Sequence, residues 1–333
     1  MTQMSRRQMI GTSLAGAAAI SVGMQSILTT EAKANAFRKP QRVIDTHQHL
    51  WDLEKVKLPW LESAPDVLRK KYWLEDYREA SKGYQVETIY MEVDVAEDQL
   101  DKEAEIISEV GRDKSNRMLG AILGSRPSSD DFEKYVDRQL DRGVVKGFRR
   151  VLHGGNTPAG ACLTPEFVRG MKILGERNLS FDLCMRPKEL RDGYQLAKQC
   201  PGTRFVVDHC GNADPKAFGR LAKENLNPAH DANDWRVAMK QLASLPNVIC
   251  KISGIVASAP EGWTDEDLAP IVNHCLDSFG ADRVVFGGDW PVCLLGAPLL
   301  NWMDALSRIV SSRPQKEQDQ LWYENAAKFF SVG

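Results

Sequence analysis

The sequence predicts a single-domain α/β protein, a closed (β/α)8 TIM barrel preceded by an export signal. Three observations predict it. Short apolar runs alternate with segments of helical periodicity, which implies parallel strands joined by crossover helices. Eight such units fit between residue 35 and residue 333, the span of one barrel. The first run ends in two histidines, where a doubly wound open sheet carries a glycine-rich phosphate turn.

The N-terminus stands apart. Ser5-Arg6-Arg7 precedes a Gly/Ala-rich, weakly apolar run from Met9 to Leu28, followed by Ala32-Lys33-Ala34. A basic start, an apolar middle and a small-x-small site describe a cleavable export signal. The paired arginines and modest hydrophobicity match the twin-arginine type, which carries folded proteins. Residues 1–34 are therefore expected to be removed after Ala34, leaving a periplasmic or otherwise exported barrel over residues 35–333. No later stretch is long and apolar enough to span a bilayer, so no stable membrane insertion is expected after signal removal.

The strands are expected at 43–44, 87–93, 118–123, 144–152, 180–185, 204–208, 248–252 and 283–286, where apolar and β-branched residues cluster. Helical periodicity covers 99–110, 130–142, 165–177, 187–199, 234–245, 265–279 and 303–311. Thr164-Pro165 reads as an N-cap followed by proline in the first turn. Gly143 and Gly280 sit where left-handed C-caps are expected. Two long connections, 53–83 and 212–233, are expected to build a substrate pocket, because loops at the C-terminal ends of barrel strands do so.

Composition narrows the function class. The 333 residues carry a net charge of −2 and are 43% hydrophobic, an ordinary globular balance. That balance argues against broad electrostatic binding of nucleic acid and leaves a small molecule as the expected partner. The seven cysteines form no C-x-x-C pair. They read as buried free thiols rather than a disulfide framework or a zinc-cysteine site.

In a barrel of this kind reactive groups stand at strand ends. Taken in order, those ends carry His47/His49, Glu92/Asp94, Ser125/Arg126, Arg149/Arg150, Arg186, His209, Lys251/Ser253 and Asp289. His47 and His49, two apart on a strand, point the same way and sit ~6–7 Å apart at the backbone, a spacing that suits shared coordination. First and last strands of a closed barrel are neighbours, so Asp289 is expected to meet them at one mouth. Strand alternation lets only one of Arg149 and Arg150 face that mouth, and Arg149 is the choice here. Trp51 and Trp290 flank the site and can stack on a sugar face. Glu92 and Lys251 are further expected pocket residues, and Asp45 is expected to support His47 from behind. His153, His230 and His274 read as loop or helix-surface residues.

Asp45-Thr46-His47-Gln48-His49-Leu50-Trp51-Asp52 resembles the opening signature of the amidohydrolase superfamily, and more narrowly its L-fuconolactonase-like, sugar-lactone-hydrolysing branch. Val207-Asp208-His209-Cys210-Gly211-Asn212, Asn247-Val248-Ile249-Cys250-Lys251-Ile252-Ser253-Gly254 and Phe286-Gly287-Gly288-Asp289-Trp290-Pro291 are similar to further blocks of that branch, in the same order. The resemblance implies a hydrolase in which Asp289 activates the attacking water, His209 polarises the scissile carbonyl and Arg149 holds lactone oxygens. It also implies His47 and His49 as metal ligands in many members. The chain departs from the fully metal-loaded pattern, because its fifth strand ends in Arg186 and only its sixth supplies a histidine. His47, His49 and Asp289 suit one zinc with an open position, and serve a metal-free site as well. Two other functions fit less of the pattern: a metal-dependent decarboxylase of an aromatic or enoic acid, and a periplasmic carbohydrate-binding protein on a non-catalytic barrel.

Overall fold

The structure, a computed structural model, describes residues 39–333 apart from residues 156 and 225. The expected export segment, residues 1–34, lies outside the described residues. Eight strands follow in order: β1 Val43–Gln48, β2 Val86–Met91, β3 Met118–Gly124, β4 Val145–Val151, β5 Ser180–Cys184, β6 Arg204–Val207, β7 Val248–Ile252 and β8 Val284–Phe286. Each pairs in parallel with the next, in sequence order. The seam between β1 and β8 is carried by a parallel bridge from Gln48 to Trp290 and by side-chain bonds. Among these, Thr46 Oγ1 donates to Phe286 O at 2.6 Å. The result is an eight-stranded parallel barrel of the TIM type.

The crossover helices fall where the periodicity places them: α2 Leu100–Arg112, α3 Phe132–Leu140, α4 Pro165–Glu176, α5 Leu190–Gln199, α6 Ala232–Ala243, α7 Asp265–Phe279 and α8 Leu299–Ile309. Thr164 caps α4, its hydroxyl accepting from Phe167 N at 3.3 Å. Gly143 and Gly280 both adopt φ +78°, which a β-carbon would strain. Two helical regions, one in the first long connection and one at the C-terminal end, carry no such periodicity. α1, Leu74–Ala80, lies inside the first long connection, only 7 residues long and started by Trp73 N donating to Asp76 Oδ2 at 2.9 Å. After α8 the chain forms α9 Gln315–Asp319, a π turn Gln320–Glu324 and α10 Asn325–Phe330.

The closing helix has a clear structural task. Inward-facing Ile44, Ile89, Ile122, Val206, Ile249 and Val285 form an apolar layer, and Ala326 and Phe330 of α10 seal it from below. Outward-facing strand residues such as Phe148, Phe181 and Phe205 instead pack under the helices in a second, larger core. Strand alternation produces both layers from the same strands. All seven cysteines are buried and unpaired. No helix among the described residues is long and apolar enough to cross a membrane.

One core carboxyl makes stability pH-dependent. Glu103 of α2 is 3% exposed and accepts from Tyr90 Oη at 2.9 Å and Val93 N at 2.8 Å, both at Oε1. Its Oε2 has no hydrogen-bond partner among the described residues. Burial, reinforced by the charge of Glu92, pushes Glu103 up to about 8. Between its ordinary value and about 8 the folded state holds a proton that the unfolded chain releases, so this group makes stability fall as pH rises through that window. Glu103→Gln is expected to flatten the dependence and to raise Tm at the alkaline end, measured by calorimetry from about pH 5 to about pH 8.5. An unchanged slope would rule the carboxyl out as its source.

Candidate active site

The strand-end turns surround one cavity of about 620 Å³ at the C-terminal face of the barrel. His49, Trp51, Arg149, His209 and Asp289 all line it, so five of the expected residues come to one place. His47 lies just beneath, fully buried. A bulge between Asp45 and Gln48 shifts the alternation of β1, and the His47 and His49 rings meet edge to face with centroids 4.9 Å apart. His49 Nδ1 lies 3.0 Å from Met91 O, which fixes the tautomer with a proton on Nδ1 and leaves the Nε2 lone pair toward the mouth. That Nε2 sits 3.5 Å from Asp289 Oδ1, and His47 Nε2 sits 3.7 Å from the same oxygen.

Asp289 reaches this point through a tight turn. It adopts φ +53°, a left-handed conformation that Asp tolerates better than most residues. The two glycines before it leave room that a side chain would fill. A β-carbon on Gly288 would lie 2.3 Å from Asp45 Oδ2, and one on Gly287 would lie 2.9 Å from His47 Cβ. Asp45 therefore supports His47 through backbone rather than through the imidazole: Oδ1 accepts from His47 N at 2.9 Å and Gly288 N at 2.7 Å, and Oδ2 from Tyr77 Oη at 2.7 Å.

His209 opens a left-handed run, with φ between 51° and 68° from His209 to Asn212. The run turns the ring across the barrel end, 4.4 Å from His47 centroid to centroid. Ser253 Oγ lies 3.0 Å from His209 Nδ1. When the hydroxyl donates, Nε2 carries the proton and aims it into the cavity. Gly254 follows because a β-carbon there would meet His209 Nδ1 at 2.3 Å. Burial lowers the pKa of His209, which favours the neutral ring.

Below the cavity lies a layer of buried charge. Arg149 donates through Nε to Glu92 Oε1 at 2.6 Å and through Nη2 to Glu92 O at 2.8 Å. Its Nη1 lies 3.3 Å from His47 Nε2 and 3.4 Å from Asp208 Oδ2. Lys251 Nζ lies 2.6 Å from Asp182 Oδ2, 2.9 Å from Asp208 Oδ1 and 3.2 Å from His47 Nδ1. Burial opposes ionisation of Asp208, but Lys251 and His47 hold its carboxyl well below the usual range. Burial, only partly opposed by Lys251, pushes Asp182 up to about 7. Burial and the charge of Lys251 lower His47 well below its ordinary value, so that ring is neutral. Its Nδ1 also lies 3.5 Å from Asp208 Oδ1, and its Nε2 faces Arg149 and Asp289.

Three expected pocket residues are placed elsewhere. Glu92 is consumed by the ion pair with Arg149 and is 2% exposed. Lys251 is sealed inside the barrel between two carboxylates. Trp290 packs edge-on against Tyr72 and Tyr77 in the wall behind the site, since the turn that delivers Asp289 inward sends the next side chain outward. Arg150, next along β4 from Arg149, does not line the cavity. Asp94, expected at a strand end, lines the cavity, and so do Trp60, Asn212 and His153, which the sequence does not single out for the site; burial, with His209 and Arg149, pushes His153 down to about 4. Arg186 lines the cavity too, but donates to Leu152 O, Gly154 O and Thr157 O and so holds the loop that carries His153. His230 is a loop strut, its Nε2 accepting from Asp214 N at 2.8 Å. Asp94 was legible as a strand end, whereas Trp60 and His153 depend on how long loops fold back.

Among the described residues, two groups bring metal-ligating atoms within 4.8 Å of one another: His47/His49/Asp289 and His47/Asp208/His209. The first fits a divalent ion. His49 offers a lone pair with its other nitrogen bonded to a carbonyl, the arrangement metal-binding histidines use. Two imidazoles and one carboxylate match zinc with open positions. Arg149 Nη1 is the ion's competitor for His47 Nε2. The second group does not fit, because Lys251 Nζ already occupies Asp208 Oδ1.

Comparison with known proteins agrees with this fold. Residues 44–332 match the family model described as Amidohydrolase. The chain belongs to the amidohydrolase family. It is 26% identical over 298 residues to L-fucono-1,5-lactonase of Burkholderia multivorans, covering 87% of this chain and 96% of that one. It is 22% identical over 344 residues to L-rhamnono-gamma-lactonase of Scheffersomyces stipitis, covering 87% and 99%. A zinc-bound crystal structure of an amidohydrolase from Burkholderia multivorans superposes with TM-score 0.74 at 26% identity, covering 87% of this chain and 99% of that one. The chain is thus similar to proteins named as lactonases, and it is a hydrolase.

The charged layer gives a direct test of this amidohydrolase's architecture. Lys251→Met leaves Asp182 buried without a counter-charge and Asp208 with Arg149 alone, and is expected to cost about 3–5 kcal/mol in urea unfolding. Adding Asp182→Leu is expected to recover part of that loss. Strictly additive losses in the double variant would contradict the coupling.

Proposed function

We propose that this chain hydrolyses a small cyclic ester derived from a sugar, an aldono- or uronolactone, by attack of a water that Asp289 activates. The observation that carries this is the convergence of Asp289, His49, His209 and Arg149 on one cavity, with the Asp289 carboxylate facing the His47 and His49 imidazoles. The carboxylate accepts a proton as the water oxygen bonds to the carbonyl carbon. The neutral His209 N–H and the fixed Arg149 guanidinium donate toward the oxygen that becomes negative. The ring C–O bond then breaks, its oxygen takes the proton from Asp289, and an open-chain hydroxy acid leaves. A divalent ion held by His47, His49 and Asp289, when bound, supplies Lewis acidity and a more acidic water.

Several features support hydrolysis over its rivals. The relatives named as lactonases act on sugar esters by name. A decarboxylase of this barrel type calls for a further strand-end histidine, and β5 leads instead into Met185 and the loop-holding Arg186. A purely carbohydrate-binding barrel has no use for a carboxylate poised against two imidazoles.

The test is a pH-indicator assay of a lactone library on the mature protein, with added zinc and with chelator. Asp289→Asn is expected to lower turnover by at least ~10³-fold while Tm stays within a few degrees. Retained turnover in that variant refutes the mechanism. Chelator-sensitive activity restored by zinc assigns the histidine pair to a metal, and chelator-resistant activity assigns it to substrate or water.

The N-terminal reading is part of the same proposal: a twin-arginine signal exports the folded enzyme to the periplasm. Expressed with its full N-terminus, the exported protein is expected to begin at Asn35 by mass spectrometry. Arg6→Lys with Arg7→Lys is expected to leave the precursor uncleaved in the cytoplasm. Normal export of the double variant counts against this route.

A further inference from the structure

Resting on the lactonase reading, we propose that Trp60 and Asp94 form a hydroxyl-recognising subsite, in which the indole lies against the apolar face of a sugar ring and the carboxylate accepts from two neighbouring hydroxyls. Both residues line the cavity, on the side of β2, away from His209 on β6. Both are pinned to the same stretch of backbone. Trp60 Nε1 donates to Val93 O at 2.8 Å, directly beside Asp94. Ala96 N donates to Lys57 O at 2.9 Å, so the loop carrying Trp60 is stitched to the turn carrying Asp94. Trp51 packs edge-on against Trp60 with centroids 5.8 Å apart, which holds the indole from the other side.

Asp94 is built differently from the other carboxylates of the site. Its φ is +50°, a backbone state that costs free energy unless something holds it. What holds it is Glu92 Oε2, which accepts from Asp94 N at 2.6 Å while Glu92 Oε1 binds Arg149. The turn is thereby set by the same ion pair that fixes the arginine. Among the described residues no hydrogen bond or ion pair engages the Asp94 carboxylate, although it is more than half buried in the cavity wall. A carboxylate brings acceptor oxygens only, and hydroxyls are donors. The charges that act on Asp94 besides Glu92 are those of Arg126, Arg149 and Arg150, none of which hydrogen-bonds its carboxylate. Burial and the charge of Glu92 push Asp94 up to about 6, which leaves it ionised at neutral and alkaline pH.

The consequence is a preference for neutral polyhydroxylated rings. A lactone with vicinal hydroxyls satisfies the carboxylate, a lactone bearing its own carboxylate at that end is repelled, and an unsubstituted ring leaves it unpaired. Within the proposed substrate class, lactones whose remaining substituents are neutral hydroxyls are therefore favoured over those that keep a free carboxylate.

The experiment uses Asp94→Asn and Asp94→Gly, the second of which removes the carboxyl while accepting the positive φ. KM for a neutral sugar δ-lactone is expected to rise by at least ~10-fold in both, with kcat changed by less than ~3-fold. Turnover of δ-valerolactone, which offers no hydroxyl, is expected to fall by less than ~3-fold. In parallel, quenching of tryptophan fluorescence by a non-hydrolysable 1,5-anhydroalditol is expected to weaken by at least ~10-fold in both variants. Unchanged KM and unchanged polyol binding overturn the subsite, and so do equal losses on both lactones or a wild-type protein that does not bind the polyol. If the wild type opens no lactone yet binds the polyol in an Asp94-dependent way, the lactonase reading fails and the subsite stands.

Discussion

The carboxylate of Asp45 is the interaction on which the site depends. It sits at the one seam of the barrel without a regular ladder and accepts three hydrogen bonds, from β1, from the turn after β8 and from α1. Each fixes something chemical. The bond from His47 N sets the bulge that turns the first imidazole inward, and the bond from Gly288 N sets the turn that delivers Asp289. The bond from Tyr77 brings the first long connection back to the barrel mouth. A burial as complete as that of Asp45 is costly for a carboxyl, and burial does push its pKa up. Three donors are what make an acceptor tolerable there.

The second organising feature is the stacking of polar on apolar layers within the barrel. The bottom is aliphatic and sealed by Phe330, and the charged layer above it holds Asp182, Lys251, Asp208, Arg149 and Glu92. Such a layer is a poor source of stability, since desolvation consumes most of the attraction. Its value lies in orientation. Arg149 touches Glu92, His47 and Asp208 at once and cannot swing, so its remaining donor capacity faces a fixed point. His47, between Lys251 and Arg149, is kept neutral by its burial and by the charge of Lys251.

Much of this was legible along the chain. Every strand and every long crossover helix announced itself by periodicity, because a parallel barrel buries both faces of its strands and one stripe of its helices. The alternation also bears on the lumen of the barrel. Lys251 stands two residues beyond the inward Ile249, and Asp208 two beyond Val206, which places both inside the barrel. Polar residues at strand ends were read as facing the cavity, whereas several face one another across the lumen. Glu92 and Trp290 show the same thing: being next to the site in sequence decided nothing about which way each side chain turned.

By itself the sequence determined the barrel, the strand carrying each reactive group and the meeting of His47, His49 and Asp289 at one mouth, because these follow from local periodicity and the closure of β1 on β8. Only the tertiary structure decided which groups face a substrate and which neutralise one another. That division depends on through-space distances between strands far apart in the chain, and on left-handed turns at Asp94, His209 and Asp289 that no periodicity encodes. It also depends on loops that fold back over the mouth, which is how Trp60 and His153 reach the cavity and Trp290 does not.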